Sequence, residues 1–407
     1  LVALISICAC LPARAAILAH WTEFGEEGLA EARVVTDDPA CPSIFLDGAA
    51  NTMTERAAPN DDFPIRICAA ALPPGVGDAR VGGEALPIPA VAPKRIVVLG
   101  DTGCRIQLIW HQACNDPNAW PFAGNAASAA SLKPDLVIHV GDYLYRESPC
   151  PPDVAQCAGS PYGDKWAAWK ADLFDPAAPL LAAAPWIVVR GNHEACARAG
   201  KGWRRLLAPG GYDPATPCVK HEPPYAGQIG ERNVIVFDSA IAPDQSNNPA
   251  IAAIYRGDFE TIARLASRPS WLVTHRPIWG IAAIVGARVF GGNFTLVAAS
   301  EGHLPDAIEL QIAGHIHTLE VINFSSGQPP LVIAGNGGDD LWGGAPKEMG
   351  ELEIAGATVA DGFSLGGFGF LLFERDGDSW NMTIYGRDTQ LKRRCEVRDR
   401  RIACVDG

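Results

Sequence analysis

Seven short apolar runs recur between residues 96 and 333, most of them followed within a few positions by a residue that can bind a metal or carry a proton. Ile96-Val97-Val98-Leu99 leads to Asp101, Leu136-Val137-Ile138 to Asp142, and Trp186-Ile187-Val188-Val189 to Asn192 and His193. Val234-Ile235-Val236-Phe237 leads to Asp238, Trp271-Leu272-Val273 to His275, Leu310-Gln311-Ile312 to His315 and His317, and Leu331-Val332-Ile333 to Gly335-Asn336. Runs this short and this apolar read as buried strands. Ligand-type side chains after successive strands are what a sheet with its site at the carboxyl edge requires.

The spaces between the runs fit helices. Asp164 to Leu181 carries Trp166, Trp169 and Leu173 at helical spacing, and Pro249 to Ser267 is similar, so the tryptophans are expected in the core. Alternating strands and helices give an α/β class. Near the end, Asp376-Gly377-Asp378 between Phe370–Phe373 and Trp380–Tyr385 predicts a hairpin. Residues 16–93 show short apolar stretches punctuated by Gly and Pro with no sustained helical period, the pattern of a small β-rich N-terminal domain. The Pro-rich stretch 86–93 reads as a linker, with the catalytic domain expected over 94–407.

Leu1 to Cys10 is apolar but too short to span a bilayer, and Ala13-Arg14-Ala15 fits a small-x-small cleavage pattern, so a secretory signal over residues 1–15 is expected. Ten cysteines remain after it, with no Cys-x-x-Cys pair, and an exported chain would oxidise them to five disulfides. Pairing sequence neighbours gives 41–68, 104–114, 150–157, 196–218 and 395–404, which leaves no thiol nucleophile. The expected location is secreted or periplasmic. A formal net charge of -13 offers no basic surface for a nucleic acid or an anionic membrane, while a small phosphorylated substrate stays open because bound metal ions supply their own positive field.

A two-metal site needs oxygen and imidazole ligands, one of which touches both ions. By chemistry the candidates are Asp101, Asp142, Tyr145, Asn192, His275, His315 and His317. A lone Asp after a strand is more often a turn former, and a lone His more often a satisfied structural residue. Seven ligand-type residues in order at strand ends outweigh that reading.

The series resembles the calcineurin-like metallophosphoesterases and, within them, the purple acid phosphatases, whose pattern is DxG, GDxxY, GNH(D/E), VxxH and GHxH. Here it is Asp101-Thr102-Gly103, Gly141-Asp142-Tyr143-Leu144-Tyr145, Gly191-Asn192-His193-Glu194, Leu272-Val273-Thr274-His275 and Gly314-His315-Ile316-His317. The resemblance implies a four-layer α/β/β/α sandwich after the β-rich N-terminal part. It also implies two metal ions, one held by Asp101, Tyr145, His317 and a bridging Asp142, the other by Asp142, Asn192, His275 and His315. The reaction implied is hydrolysis of phosphate monoesters by attack of a metal-bound hydroxide. His193 would protonate the leaving oxygen or bind the phosphate, and Glu194 would orient His193.

Gly103 stands where the wider family often has a histidine ligand, and Tyr145 can replace it. A phenol with a pKa near ~10 binds well only to a strong Lewis acid, which favours Fe(III) at the Tyr145 site and a divalent Fe, Zn or Mn at the Asn192 site. Two carboxylates, a phenolate and a bridging hydroxide sum to about -4, so a +3/+2 pair keeps roughly one positive charge for a phosphate. Unlike plant-type members, residues 276–302 contain no histidine; Arg276 either holds phosphate in their place or is a salt-bridged loop residue. His139 reads as core, His111 as a loop residue within possible reach of the site, and His221 and His303 as loop residues. Asp238-Ser239 is expected to be structural, and Asn336 and Asp339 to line the pocket, whose other walls should come from 240–256 and 278–305. Two other readings stay open: phosphodiester or nucleotide hydrolysis on the same core, and a secreted binding protein on an inactive one. The sequence does not fix the oligomeric state.

Overall fold

The computed structural model describes residues 16–286 and 288–406; the expected signal segment, residues 1–15, lies outside them. All seven apolar runs form strands, shared between two sheets. Arg95–Leu99, Leu136–His139 and Trp186–Val188 are parallel neighbours in an eleven-stranded sheet, with Val98 opposite Ile138 and Ile138 opposite Ile187. Arg232–Phe237, Ser270–Thr274, Ile308–Ala313 and Leu331–Ala334 run parallel in a nine-stranded sheet, in register through Val236, Val273, Ile312 and Val332.

The sheets pack face to face because each strand is apolar on both sides. Ile96, Val98, Ile138 and Ile187 point from the first sheet into a shared core with Val234, Trp271, Val273 and Leu310 from the second. Trp271 lies 5.1 Å, centroid to centroid, from Phe373 and 5.0 Å from Trp380, both on the opposite sheet. Such pairs contribute roughly 0.5–1.5 kcal/mol each beyond the area they bury. Val97, Leu99 and Val137 face the other way, onto the helices Phe122–Ser131 and Asp175–Leu181. Ile235, Leu272 and Ile333 do the same beneath Pro249–Leu265 and Phe294–Ser300. The result is the expected α/β/β/α sandwich.

Helix Pro249–Leu265 begins at Asn248, whose side chain accepts from the Ile251 amide, with Pro249 just inside. Trp166 to Leu181 is helical throughout, with a π turn over Lys170–Phe174 that carries Asp172 inward. Trp166 and Trp169 are core residues, as expected. Gly369–Asp376 and Ser379–Gly386 form the expected hairpin around Gly377-Asp378. All five disulfides are paired as neighbours in sequence, the last across the hairpin where Cys395 faces Cys404.

Residues 16–93 are β-rich, as expected, and they extend the first sheet. Ile17–Phe24 pairs in parallel with Trp186–Val188, then Ala30–Thr36, Arg66–Leu72 and Thr54–Ala57 continue outward. An uncovered edge at Trp186–Val188 would expose unpaired amides, and these strands cover it. The junction is tied by buried Arg33, which pairs with Glu23 at 2.7 Å and donates to the carbonyls of Leu206 and Ala208. The Pro-rich stretch 86–93 carries no strand or helix. Among the described residues no helix is long and apolar enough to cross a membrane.

Candidate metal centre

The loops that follow the parallel strands of both sheets converge at one edge of the sandwich. Three of the candidate ligands there have left-handed backbone, Asp101 (φ 55°), Asp142 (φ 58°) and His315 (φ 70°). Each such residue costs of order 1 kcal/mol or more unless its surroundings hold it. Here they are held: the Asp101 amide donates to Gly141 O, the Thr102 amide to Asp142 O, and the His315 amide to Asp101 Oδ2. Buried Asp172 ties the same loops from below, accepting from the amides of Cys104, Tyr145 and Arg146 and pairing with the Arg146 guanidinium.

The side chains fall into two donor groups that share Asp142. Ligand atoms of Asp101, Asp142 and His317 lie within 4.8 Å of one another, and so do those of Asp142, His275 and His315. The Tyr145 phenol oxygen sits 3.1 Å from Asp101 Oδ1, 2.9 Å from Asp142 Oδ2 and 3.0 Å from His317 Nε2. On the other side, His275 Nε2 is 3.1 Å from Asp142 Oδ2 and 3.1 Å from Asn192 Oδ1. All seven predicted ligands therefore meet, with Asp142 placed to serve both groups.

This donor set fits a pair of cations. Burial works against charging His275 and His317, yet Asp142 raises the first and Asp339 with Asp101 the second, each to about 9. The carboxylates thus draw positive charge to these nitrogens, and a metal ion competes with the proton for the same lone pair. Burial, with the Arg276 guanidinium, lowers His315 to about 4, so its imidazole is neutral, and its buried Nδ1 has no hydrogen-bond partner among the described residues. Burial, Asp142 and Asp101 push the Tyr145 phenol well above its ordinary value, so ionising it calls for a strong Lewis acid.

The imidazoles are oriented from behind, as metal-binding histidines require. His275 Nδ1 meets Val140 O at 2.8 Å, and His317 Nδ1 meets Asp340 O at 2.9 Å and Asp339 Oδ2 at 3.1 Å. His315 Nε2 lies 3.0 Å from Asp244, which also pairs with Arg276. Arg276 is therefore salt-bridged, the second of the two alternatives the sequence left open.

The role expected for Glu194 needs correcting. Its carboxylate accepts from the amides of Asp142 (3.1 Å), Tyr143 (2.9 Å), Leu144 (3.3 Å) and Gly191 (3.0 Å), and so organises the bridging loop. His193 is oriented instead by Glu147, whose Oε1 is 2.8 Å from His193 Nδ1, and Glu147 is paired with Arg198. The His193 ring lies 3.7 Å from the Tyr145 ring, and its Nε2 is 3.8 Å from Asp142 Oδ2.

The remaining candidates take structural places. His139 stacks on Tyr143, contacts Thr102 Oγ1 at 2.9 Å and is held neutral, at about 3, by burial. His111 sits in the hairpin inside the Cys104–Cys114 loop and belongs to neither donor group. His221 contacts Asp258, and His303 contacts Glu301 O. Asp238 caps the Ala240 and Glu222 amides, and Ser239 accepts from the Arg276 amide and Thr274. Buried Asn336 donates to Gly367 O, while Asp339 pairs with Arg105. A cavity of about 970 Å³ opens onto His315 and His317 and is walled largely by the two expected segments, together with Arg105, Trp110 and residues 340–342.

Residues 94–319 match the family described as calcineurin-like phosphoesterase, more than half of the chain. No curated protein matches it. Among solved structures it is similar to PhoD, at 11% identity and a TM-score of 0.60 over 96% of this chain and 92% of that one. It is also similar to the purple acid phosphatase PPD1 from yellow lupin (Lupinus luteus) seeds, at 14% identity and a TM-score of 0.56 over 91% of this chain and 72% of that one. At these identities the likeness establishes the shared fold. Together with the family match and the two donor groups around Asp142, it leads to one conclusion: the chain belongs to the calcineurin-like phosphoesterase family and is a metal-dependent phosphoester hydrolase.

Proposed function

We propose that this protein is an exported phosphatase of the purple acid type that hydrolyses phosphate monoesters. The observation that carries the reading is the Tyr145 phenol oxygen, set among Asp101, Asp142 and His317 at 2.9 to 3.1 Å. Asp101, Asp142, Tyr145 and His317 would hold Fe(III), and Asp142, Asn192, His275 and His315 a divalent Fe, Zn or Mn. Bound there, the two ions supply charge neutralisation for the phosphoryl oxygens and an acidified water. The five disulfides support an oxidising compartment, secreted or periplasmic.

The chain's own residues complete the chemistry. Glu147 holds the His193 ring through Nδ1, while Nε2 lies 2.8 Å from the Arg198 guanidinium and 3.8 Å from Asp142 Oδ2. From there His193 delivers a proton to the departing ester oxygen. Glu194 and Asp172 keep the loops that carry Asp142 and Tyr145 in place without touching the substrate.

The test is turnover by the metal-replete protein of para-nitrophenyl phosphate against bis(para-nitrophenyl) phosphate. Higher kcat/KM on the monoester is expected; preference for the bis-ester would move the reading to a phosphodiesterase.

A further inference from the structure

The cavity beside the donor groups is far larger than a phosphoryl group needs, and its walls are aromatic. Trp110, Phe290, Phe294 and Trp342 line it, and they are 62%, 42%, 45% and 54% exposed. Large apolar side chains left this open, gathered on one concave surface, mark a place where something apolar binds.

Two of these residues are tied to the frame of the metal centre. The Trp342 amide donates to His317 O at 2.7 Å, and its indole N–H donates to Ala282 O on the hairpin formed by Ile281–Val285 and Arg288–Gly291. The Phe294 amide donates to Asp244 O, and the Asp244 carboxylate is bonded to His315. Trp342 is therefore one hydrogen bond from His317, and Phe294 reaches His315 through Asp244.

The charges on the walls argue against a second phosphate. Arg105 is paired with Asp339, and Arg276 with Asp244. Asp244 and Asp340 face the cavity together with Arg105 and Arg288, two carboxylates to two guanidinia. A di- or triphosphate would find no excess of positive charge there, whereas an apolar group would find rings to pack on.

We infer that this cavity is a subsite for the alcohol portion of the substrate, and that the substrate is a phosphoester of a bulky apolar or aromatic alcohol carrying a single phosphoryl group. The inference rests on the phosphoesterase reading and adds the substrate class to it.

The experiment measures kcat/KM of the metal-replete protein on ethyl, butyl, hexyl and octyl phosphate, on 2-naphthyl phosphate and on ATP, for wild type, Phe290→Ala and Trp342→Ala. Each buried methylene is worth roughly fourfold at full burial, so a rise of at least about tenfold from ethyl to octyl is expected, with a reduced slope in both variants. Phe290 and Trp342 are 42% and 54% exposed, and thermal melts check that both variants keep the fold. In parallel, calorimetry compares octylphosphonate with methylphosphonate, which reads the subsite without turnover; tighter binding of the octyl compound, lost in Trp342→Ala, is expected. A flat alkyl series, preference for ATP, or equal phosphonate affinities would overturn the inference while leaving phosphoester hydrolysis standing. Absence of all turnover would instead overturn the functional reading, and the phosphonate arm would still decide the subsite. Phosphatidic acid in dioleoyl vesicles forms the last arm: cleavage of it assigns the apolar alcohol to a lipid, and cleavage of octyl phosphate alone assigns it to a soluble ester.

Discussion

A Cβ on Gly103 would stand 2.9 Å from Cδ2 of the Tyr145 ring and 2.6 Å from the Tyr143 carbonyl oxygen. The absence of a side chain at 103 and the presence of a phenol at 145 are thus one feature, since the ring occupies the space a larger residue would fill. Gly103→Ala should destabilise the fold by about 1–3 kcal/mol through overpacking and displace the ring. Tyr145→Phe should keep the fold and remove the phenol oxygen. Both variants should lose a violet absorption present in the iron-replete wild type, checked by visible spectroscopy; a band that survives Tyr145→Phe would remove Tyr145 as an iron ligand.

His193, presented by Glu147, is expected to matter in proportion to how badly the leaving oxygen needs a proton. His193→Ala should lower kcat roughly 10²- to 10⁴-fold on an alkyl phosphate and much less on para-nitrophenyl phosphate, whose leaving group departs as the anion. Equal losses on both, measured as a leaving-group series, would point to phosphate binding in place of proton delivery.

Glu194 offers each of its oxygens to two backbone amides, and an isosteric amide cannot do so. Glu194→Gln would set an NH₂ group against two N–H donors, at a cost of about 1–3 kcal/mol, and loosen the loop that carries Asp142. Lower urea stability and weaker metal retention are expected, with the leaving-group dependence unchanged. A changed leaving-group dependence would restore Glu194 to a role on His193.

Glu320 lies buried away from the donor groups, with Oε2 accepting from the Ile281 amide and Oε1 without a partner among the described residues. Burial raises its pKa from an ordinary 4.5 to about 8, against the lowering effect of the Ile281 amide. A pKa raised in the fold favours the protonated form, so this contribution to stability is complete below about pH 4.5 and is lost as pH rises through 8. Glu320→Gln should therefore match the wild type near pH 4.5 and exceed it by up to about 4 kcal/mol at pH 8, in denaturation curves across that range. A difference that stays constant with pH would contradict the shift.

What could be read from the sequence was what local pattern determines. Strands such as Ile96–Leu99 are apolar runs with no competing period, and each ligand follows its strand by one to six residues, so order along the chain became order along the sheet edge. The supporting residues were hidden because loop packing chooses them. Asp244 reaches His315 across 71 positions, and Asp172 reaches the Tyr145 amide across 27 from within a π turn. Adjacency misled in one place: Glu194 follows His193 directly, yet four loop amides had the stronger claim on its carboxylate. The N-terminal strands were recognisable as strands, but their parallel pairing with Trp186–Val188 depends on an edge formed some 160 residues later.

The shared Asp142 is the centre of this account, and metal content tests it most directly. Elemental analysis of the purified metal-replete chain should give about two ions per chain for wild type, about one for Asp101→Ala, and fewer than Asp101→Ala for Asp142→Ala, because only Asp142 lies in both donor groups. A wild type that holds a single ion, or an Asp142→Ala variant that keeps two, would contradict the binuclear centre.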